Sequence, residues 1–450
     1  MARPVFSKTD LATKISGRVI RPGDADYEQQ RRVWNHDVDK RPALIVQCII
    51  EDDIRYALEF ARAQNLPIAI RGGGHSFAGY GTCDGGVVID LSRMKGLRID
   101  PHRRQVSLKP GVAGGELDQI TQAFGLAVPL GSCPSVGVVG YATGGGEGSL
   151  TPSLGFACDH ILRARILTYD SNVLTADAGS NQDLFWALRG GGGNFGIITQ
   201  LDLALHHVDT VLGGHLIYPL SRTREVLTFV NGLVAEIPPE LYIIIAVLPQ
   251  PGEPMLDIGI VWNGVLDEGE RVVRPLRQFI QPSKDSIKVK RYLDEQQSGS
   301  DSPSEGEWCS VRRAGHLECL DSGAIEVIER NSARGPAESR GITMIYWHGP
   351  WVEKSYDNAF GFRRRGFEYW IHAYWQDPVH REASHQWVDN CYRELQPFST
   401  GAVYVNNLCE EGPERVKSAH GEKYERLVNI KRKYDPDNVF RLNENIRVQP

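Results

Sequence analysis

Two short segments set a reactive side chain in a backbone stripped of side chains. Arg71-Gly72-Gly73-Gly74-His75-Ser76 places a histidine directly after three glycines. Gly131-Ser132-Cys133-Pro134 opens a stretch that continues through Val136, Gly137, Gly140, Thr143, Gly144, Gly145, Gly146 and Gly148. Glycine lets a backbone approach an anionic group closely and point N–H donors at it, which is how loops grip pyrophosphate. A tight turn ending in a hydrogen-bonded histidine accounts for the first segment as well. The second is too rich in glycine for an ordinary strand or helix, so it calls for a special conformation or for a large flat or charged ligand nearby. Cys133 is either an inert packed side chain or a nucleophile, and its place in the loop favours chemistry.

Several other chemistries are excluded. Arg189-Gly190-Gly191-Gly192-Gly193-Asn194-Phe195-Gly196 contains G-x-G-x-x-G, but it lies between a helical and a strand-like segment, the reverse of what a dinucleotide-binding strand–loop–helix needs. The P-loop motif is absent, and Gly74-His75-Ser76-Phe77-Ala78 lacks the closing glycine of a nucleophile elbow. The eight cysteines include no Cys-x-x-Cys pair, and His206, His207, His372, His380 and His385 show no metal-ligand spacing, so no metal is expected. A net charge of -6 gives no basic surface for nucleic acid.

The elements that must position these residues follow from periodicity. Ala43–Ile50, Glu51–Gln64 and Leu66–Ile70 read as strand, helix and strand, the last feeding the first glycine loop. Short strands are expected at Gly86–Leu91, Leu97–Asp100 and Gln105–Leu108, a helix at Gly115–Phe124, a hairpin from His160–Thr168 to Asn172–Asp177, and a strand at Ile197–Leu205. Past His206 and His207 the glycine clusters stop, and Leu241–Leu248 and Leu256–Trp262 read as strands of a second domain. Ser298–Glu307 reads as a surface loop, and Gly421–Tyr434 as a helix stopped by Asp435-Pro436. The aromatic stretches Tyr346–Trp351 and Tyr369–Trp375 fit sheet packing or a wall for a ring-bearing substrate. Tyr404-Val405-Asn406-Asn407 reads as a strand with buried amides.

Together these residues resemble the FAD-linked oxidases of the berberine bridge enzyme-like family, within the vanillyl alcohol oxidase superfamily. The likeness is close over residues 40–207 and 400–447 and weak between them. It implies an α+β, two-domain fold of the PCMH type. Residues 1–207 would form the FAD-binding domain (its core about 38–207), 208–400 a substrate domain with an antiparallel sheet covered by helices, and 401–450 a segment returning to the first domain. It also implies that His75 bonds to the 8α carbon of the flavin and Cys133 to its C6. Arg71, Gly72, Gly73, Gly74, Ser76, Gly137, Gly140, Thr143, Gly144, Gly145, Gly146, Gly148, Asp159 and Ile198 would wrap the FAD, with Tyr404 and Asn406 near its ring. Val136 stands where Val or Ile accompanies oxidases, which implies O2 as electron acceptor.

Two departures from the family pattern matter. Many members carry a tyrosine base where this chain has Asn407, and an amide cannot take a proton at neutral pH. Tyr141 occupies a position that is histidine in the berberine bridge enzyme itself. Tyr404 and Tyr141 are then the expected catalytic residues. The expected activity is a flavin oxidase acting on a small molecule, a secondary metabolite first. Alcohol or oligosaccharide oxidation, oxidative cyclisation or dehydrogenation, and flavin binding without catalysis are the alternatives. No secretory leader or membrane span is evident near the amino terminus or elsewhere, so a cytoplasmic protein without nucleic-acid or membrane partners is expected.

Overall fold

Three main sheets, and a two-stranded one that pairs Leu126–Ala127 with His206–His207, carry the two halves of the molecule in a computed structural model that describes residues 8–250, 254–298, 308–336 and 339–448. The first sheet orders Arg18–Ile20, Leu44–Gln47, Val87–Asp90 and Ile68–Arg71, with its last two pairings parallel. Leu44–Gln47 and Val87–Asp90 are buried along their whole length, as parallel strands covered on both faces must be. Helix Glu51–Ala63 covers this sheet with Ile54, Ala57, Leu58 and Ala61. Its first turn is fixed by Asp53, whose carboxylate accepts from the amides of Ser16 at 2.7 Å and Ile49 at 2.9 Å.

The second sheet is antiparallel, in the order Leu97–Asp100, Gln105–Leu108, Ile197–Ala204, Ile161–Leu167, Val173–Asp177. The expected hairpin turns with Ser171 at φ 66°.

The large sheet is also antiparallel. Its main path runs Lys284–Asp285, Thr210–Pro219, Met255–Trp262, Leu241–Gln250, Arg340–His348, Gly366–Trp375, Cys309–Leu317, and Lys288–Arg291 pairs with Thr210–Pro219 as well. Side chains alternate between its faces. On the last strands Ile345, Trp347, Phe367, Tyr369, Ile371, Ala373 and Trp375 join a core shared with helices Thr223–Leu233, Ser322–Ser332 and Arg381–Leu395. Period two therefore turns Tyr346, His348, Glu368, Trp370, His372 and Tyr374 to the opposite face. Those polar and aromatic residues belong to the wall between the sheet and the glycine-rich loops. This is the α+β architecture the resemblance implies.

The carboxyl end packs back on the first half. Lys431, fully covered, donates to Asp435 at 2.6 Å and to the Asn194 carbonyl at 2.6 Å, and the Ile446 amide donates to Asn194 Oδ1 at 2.9 Å. One expectation needs correction: Val405–Asn407 is a single 3-10 turn, not a strand. No described strand pairs with it, and the Asn407 N–H returns to the Tyr404 carbonyl at 2.9 Å. Of the expected Ser298–Glu307 loop, only Ser298 is among the described residues, where it ends a helix.

Candidate active site

Strand Ile68–Arg71 delivers the first glycine loop, and a buried ion pair pins its end. Arg71 meets Asp90 at 2.8 Å, with side chains 7% and 2% exposed, and also donates to the Arg32 carbonyl at 3.3 Å. Beyond it, Gly72, Gly73, Gly74 and His75 line a cleft of about 340 Å³ together with Gln29, Trp34 and Ser135. The second loop is held against the first by backbone contact. A Cβ on Gly73 would come within 2.4 Å of the Gly137 nitrogen and 2.9 Å of the Ser135 carbonyl oxygen, so only glycine permits the approach.

This cleft suits a pyrophosphate-bearing nucleotide. The amides of Gly72, Gly73, Gly74, His75, Ser76, Phe77 and Ala78 donate to no acceptor among the described residues, and neither do those of Cys133, Ser135 and Gly137. Runs of unpaired backbone donors are sites for anionic oxygen. His75 stacks on Trp34 with ring centroids 5.4 Å apart, and burial pushes its pKa down to about 4, so the imidazole is neutral and keeps a lone pair. Cys133 is half-buried, its Sγ 3.6 Å from Ser135 Oγ. Val136 and Ser76 are also half-buried, and Gly140 is exposed with open space where a side chain would stand.

The other residues implied to wrap a cofactor make their contacts within the protein. Gly144 is closed off by the Asn406 amide, Gly145 by Phe360 and Tyr404, Gly146 by Ala157, and Gly148 by the Leu130 carbonyl. Thr143 donates to the Val139 carbonyl within its own helix at 2.9 Å, and Ile198 is a buried strand residue. The carboxylate of Asp159 is fully covered and binds Arg363, Asn358 Nδ2 at 2.6 Å and the Phe156 amide at 3.0 Å. It is not among the residues that line the cleft.

Tyr404, Asn406 and Tyr141 do come together. The Tyr404 oxygen accepts from the Gly146 amide at 2.6 Å and from Asn406 Nδ2 at 2.7 Å, and Asn406 also donates to the Tyr141 carbonyl at 3.0 Å. Tyr141 donates its own hydroxyl to the Glu147 carbonyl at 2.5 Å. Burial pushes both phenols up, with the neighbouring phenol adding to the effect on Tyr404 and the Glu147 charge to that on Tyr141. Both are neutral at physiological pH.

A buried polar network across this wall was not expected from the sequence. His348 Nε2 lies 2.6 Å from Glu147 Oε1 and 3.9 Å from Glu368 Oε2, and the ligating atoms of the three lie within 4.8 Å of one another, close enough to hold a metal. Burial first, and then the Glu147 carboxylate, push Glu368 well above the usual carboxylate range. Glu368 thus keeps its proton. Glu368 Oε1 accepts from Asn407 at 2.5 Å and Trp370 at 2.7 Å. Asn407 Oδ1 accepts in turn from Arg312 at 3.1 Å. The amide that replaces the family's tyrosine therefore ties a buried acid to a buried guanidinium.

The comparisons agree with this arrangement. Residues 42–177 match the FAD binding domain family and residues 403–447 the berberine and berberine-like family. The chain is 29% identical to an FAD-linked oxidoreductase of Dictyostelium discoideum over 97% of this chain and 96% of the relative. It is 28% identical to (R)-6-hydroxynicotine oxidase of Paenarthrobacter nicotinovorans over 98% of each. The crystal structure of 6-hydroxy-D-nicotine oxidase from Arthrobacter nicotinovorans superposes with a TM-score of 0.91 at 28% identity, covering 99% of this chain and 100% of that one. No described helix is long and apolar enough to cross a membrane. Fold, glycine loops and sequence together show an FAD-linked oxidoreductase that is similar to the berberine bridge enzyme-like proteins.

Proposed function

We propose that this protein is an oxidase whose FAD is held by two covalent links, at His75 and Cys133, and which acts on a small ring-bearing metabolite. Residues 1–207 would hold the cofactor, 208–400 the substrate, and 401–450 would close the first unit from behind. FAD, when bound, would supply the redox chemistry, the two-electron oxidation of a substrate C–H next to oxygen or nitrogen with O2 as the acceptor and H2O2 as the product. The observation that carries the reading is the cleft, whose lining residues Gly72, Gly73, Gly74 and His75 have amides without acceptors among the described residues, the last on a neutral, half-buried imidazole.

The chain's own residues would divide the remaining work. The amides of the two loops would bind the pyrophosphate, and Val136 would border the face that O2 approaches. Tyr404 and Tyr141, both kept protonated by burial, would act as hydrogen-bonding partners of ring and substrate rather than as bases. Trp370, Tyr374 and Phe77 would supply flat walls that exclude water. The test is acid precipitation of the purified protein. The pellet should be yellow in the wild type and in either single variant, His75→Ala or Cys133→Ala, and colourless in the double variant. A colourless wild-type pellet contradicts covalent attachment.

A further inference from the structure

His372 has one ring nitrogen accounted for and one not. Its Nδ1 lies 3.0 Å from an Arg312 Nη2 donor. A guanidinium has no lone pair to offer, so Nδ1 accepts and the hydrogen of the neutral imidazole sits on Nε2. Burial and the adjacent Arg312 charge both hold the ring neutral. The Nε2–H is buried, in a residue 1% exposed, and meets no acceptor among the described residues. Leaving such a donor unpaired is destabilising, a loss that a bound acceptor would recover.

The surroundings say what the acceptor is attached to and where it comes from. The His372 ring meets Phe77 edge-on at 5.6 Å and Tyr374 at 3.8 Å. Tyr374 meets Trp34 at 6.2 Å, and Trp34 stacks on His75. The free donor therefore stands two rings away from the residue assigned to the flavin, on the sheet face that looks toward it. Arg312 cannot swing out to meet a ligand itself. Its guanidinium is clamped between Phe77 at 3.6 Å and Trp370 at 4.1 Å and is tied to Asn407. Its positive charge reaches the site through the imidazole it polarises, which makes Nε2–H a stronger donor and favours a negatively charged oxygen. The same geometry removes His372 as a base, since its unengaged nitrogen already carries the proton.

We propose that the His372 Nε2–H, backed by Arg312, recognises a phenolate or enolate oxygen on a planar substrate that reaches it past Phe77 and Tyr374. The inference rests on the flavin reading for the direction from which substrate enters.

The test compares p-nitrophenolate with nitrobenzene, two flat ligands that differ by the oxygen, in binding to the holoenzyme. The wild type should bind p-nitrophenolate at least ~10-fold more tightly, with the apparent pKa of the bound nitrophenol lowered in its visible absorbance. His372→Phe should abolish both effects. His372→Gln, whose amide nitrogen can stand where Nε2 stood, should restore most of them. Equal affinities in the wild type, failure to bind p-nitrophenolate, or a preference that persists in His372→Phe would overturn the proposal. Intact masses of the same samples read the flavin separately, so a bare polypeptide counts against the cofactor assignment and a lost phenolate preference counts against this one.

Discussion

Replacing Arg71 by Met tests whether the first glycine loop hangs on a buried ion pair. Arg71 and Asp90 sit on the last pair of residues in register between two parallel strands, so their contact fixes the point at which the loop departs. Both are nearly water-free, and Asp90 keeps one further partner, the Ser92 amide at 3.0 Å. Removing Arg71 leaves a nearly covered carboxylate without its countercharge, which costs about 3–5 kcal/mol. The double variant Arg71→Met with Asp90→Asn keeps the Ser92 contact, removes the stranded charge, and should recover all but about 1–2 kcal/mol. Equilibrium urea unfolding followed by tryptophan fluorescence measures both, with retained flavin read from the same samples. The reasoning fails if Arg71→Met lies within about 1 kcal/mol of wild type, or if the double variant is as unstable as the single one.

Two further outcomes follow from the same geometry. Gly73→Ala drives a Cβ to 2.4 Å from the Gly137 nitrogen, where both neighbours are backbone; it should cost about 1–3 kcal/mol and lower flavin content, measured as the visible-to-protein absorbance ratio of purified protein. Burial pushes Asp118 up to about 7, against a weaker opposing hydrogen bond from Gln296. The folded state then holds a proton that the unfolded chain releases near pH 4, so stability falls as pH rises from about 4 through about 7. Asp118→Asn should gain on wild type by up to about 4 kcal/mol at about pH 8 and by almost nothing at about pH 4, compared by urea unfolding at the two pH values.

The first two hundred residues were legible because their signals are local. Alternation and helical spacing located Leu97–Asp100 and Gln105–Leu108 to the residue and Glu51–Ala63 to within one, and the strand-then-glycine order marked the cleft. The Glu147, His348, Glu368 cluster was not legible, because its members come from a glycine-rich loop and two strands that only sheet pairing unites. Tyr346 faces Glu368 and His348 faces Gly366 across that pairing. The available signal was a run of charged and imidazole side chains at alternate positions of otherwise apolar strands, with Glu368 and His372 among aromatics. Such residues must be partnered if buried, and nothing local says by what. The glycines from Gly144 to Gly148 show the opposite case. Their density pointed to close approach, but the approaching groups are Asn406, Tyr404, Phe360, Ala157 and the Leu130 carbonyl, contributed in part from more than two hundred residues away. Val405–Asn407 alternates like a strand but pairs with none among the described residues, and the chain closes into a turn there.

The most direct measurement is the mass of the protein purified from flavin-replete cells, followed by peptide mapping. The account predicts one dinucleotide of added mass on the intact chain, carried by a cross-linked species that unites the peptides containing His75 and Cys133. A chain at the mass of its amino acids alone, with any flavin released on denaturation, would contradict it.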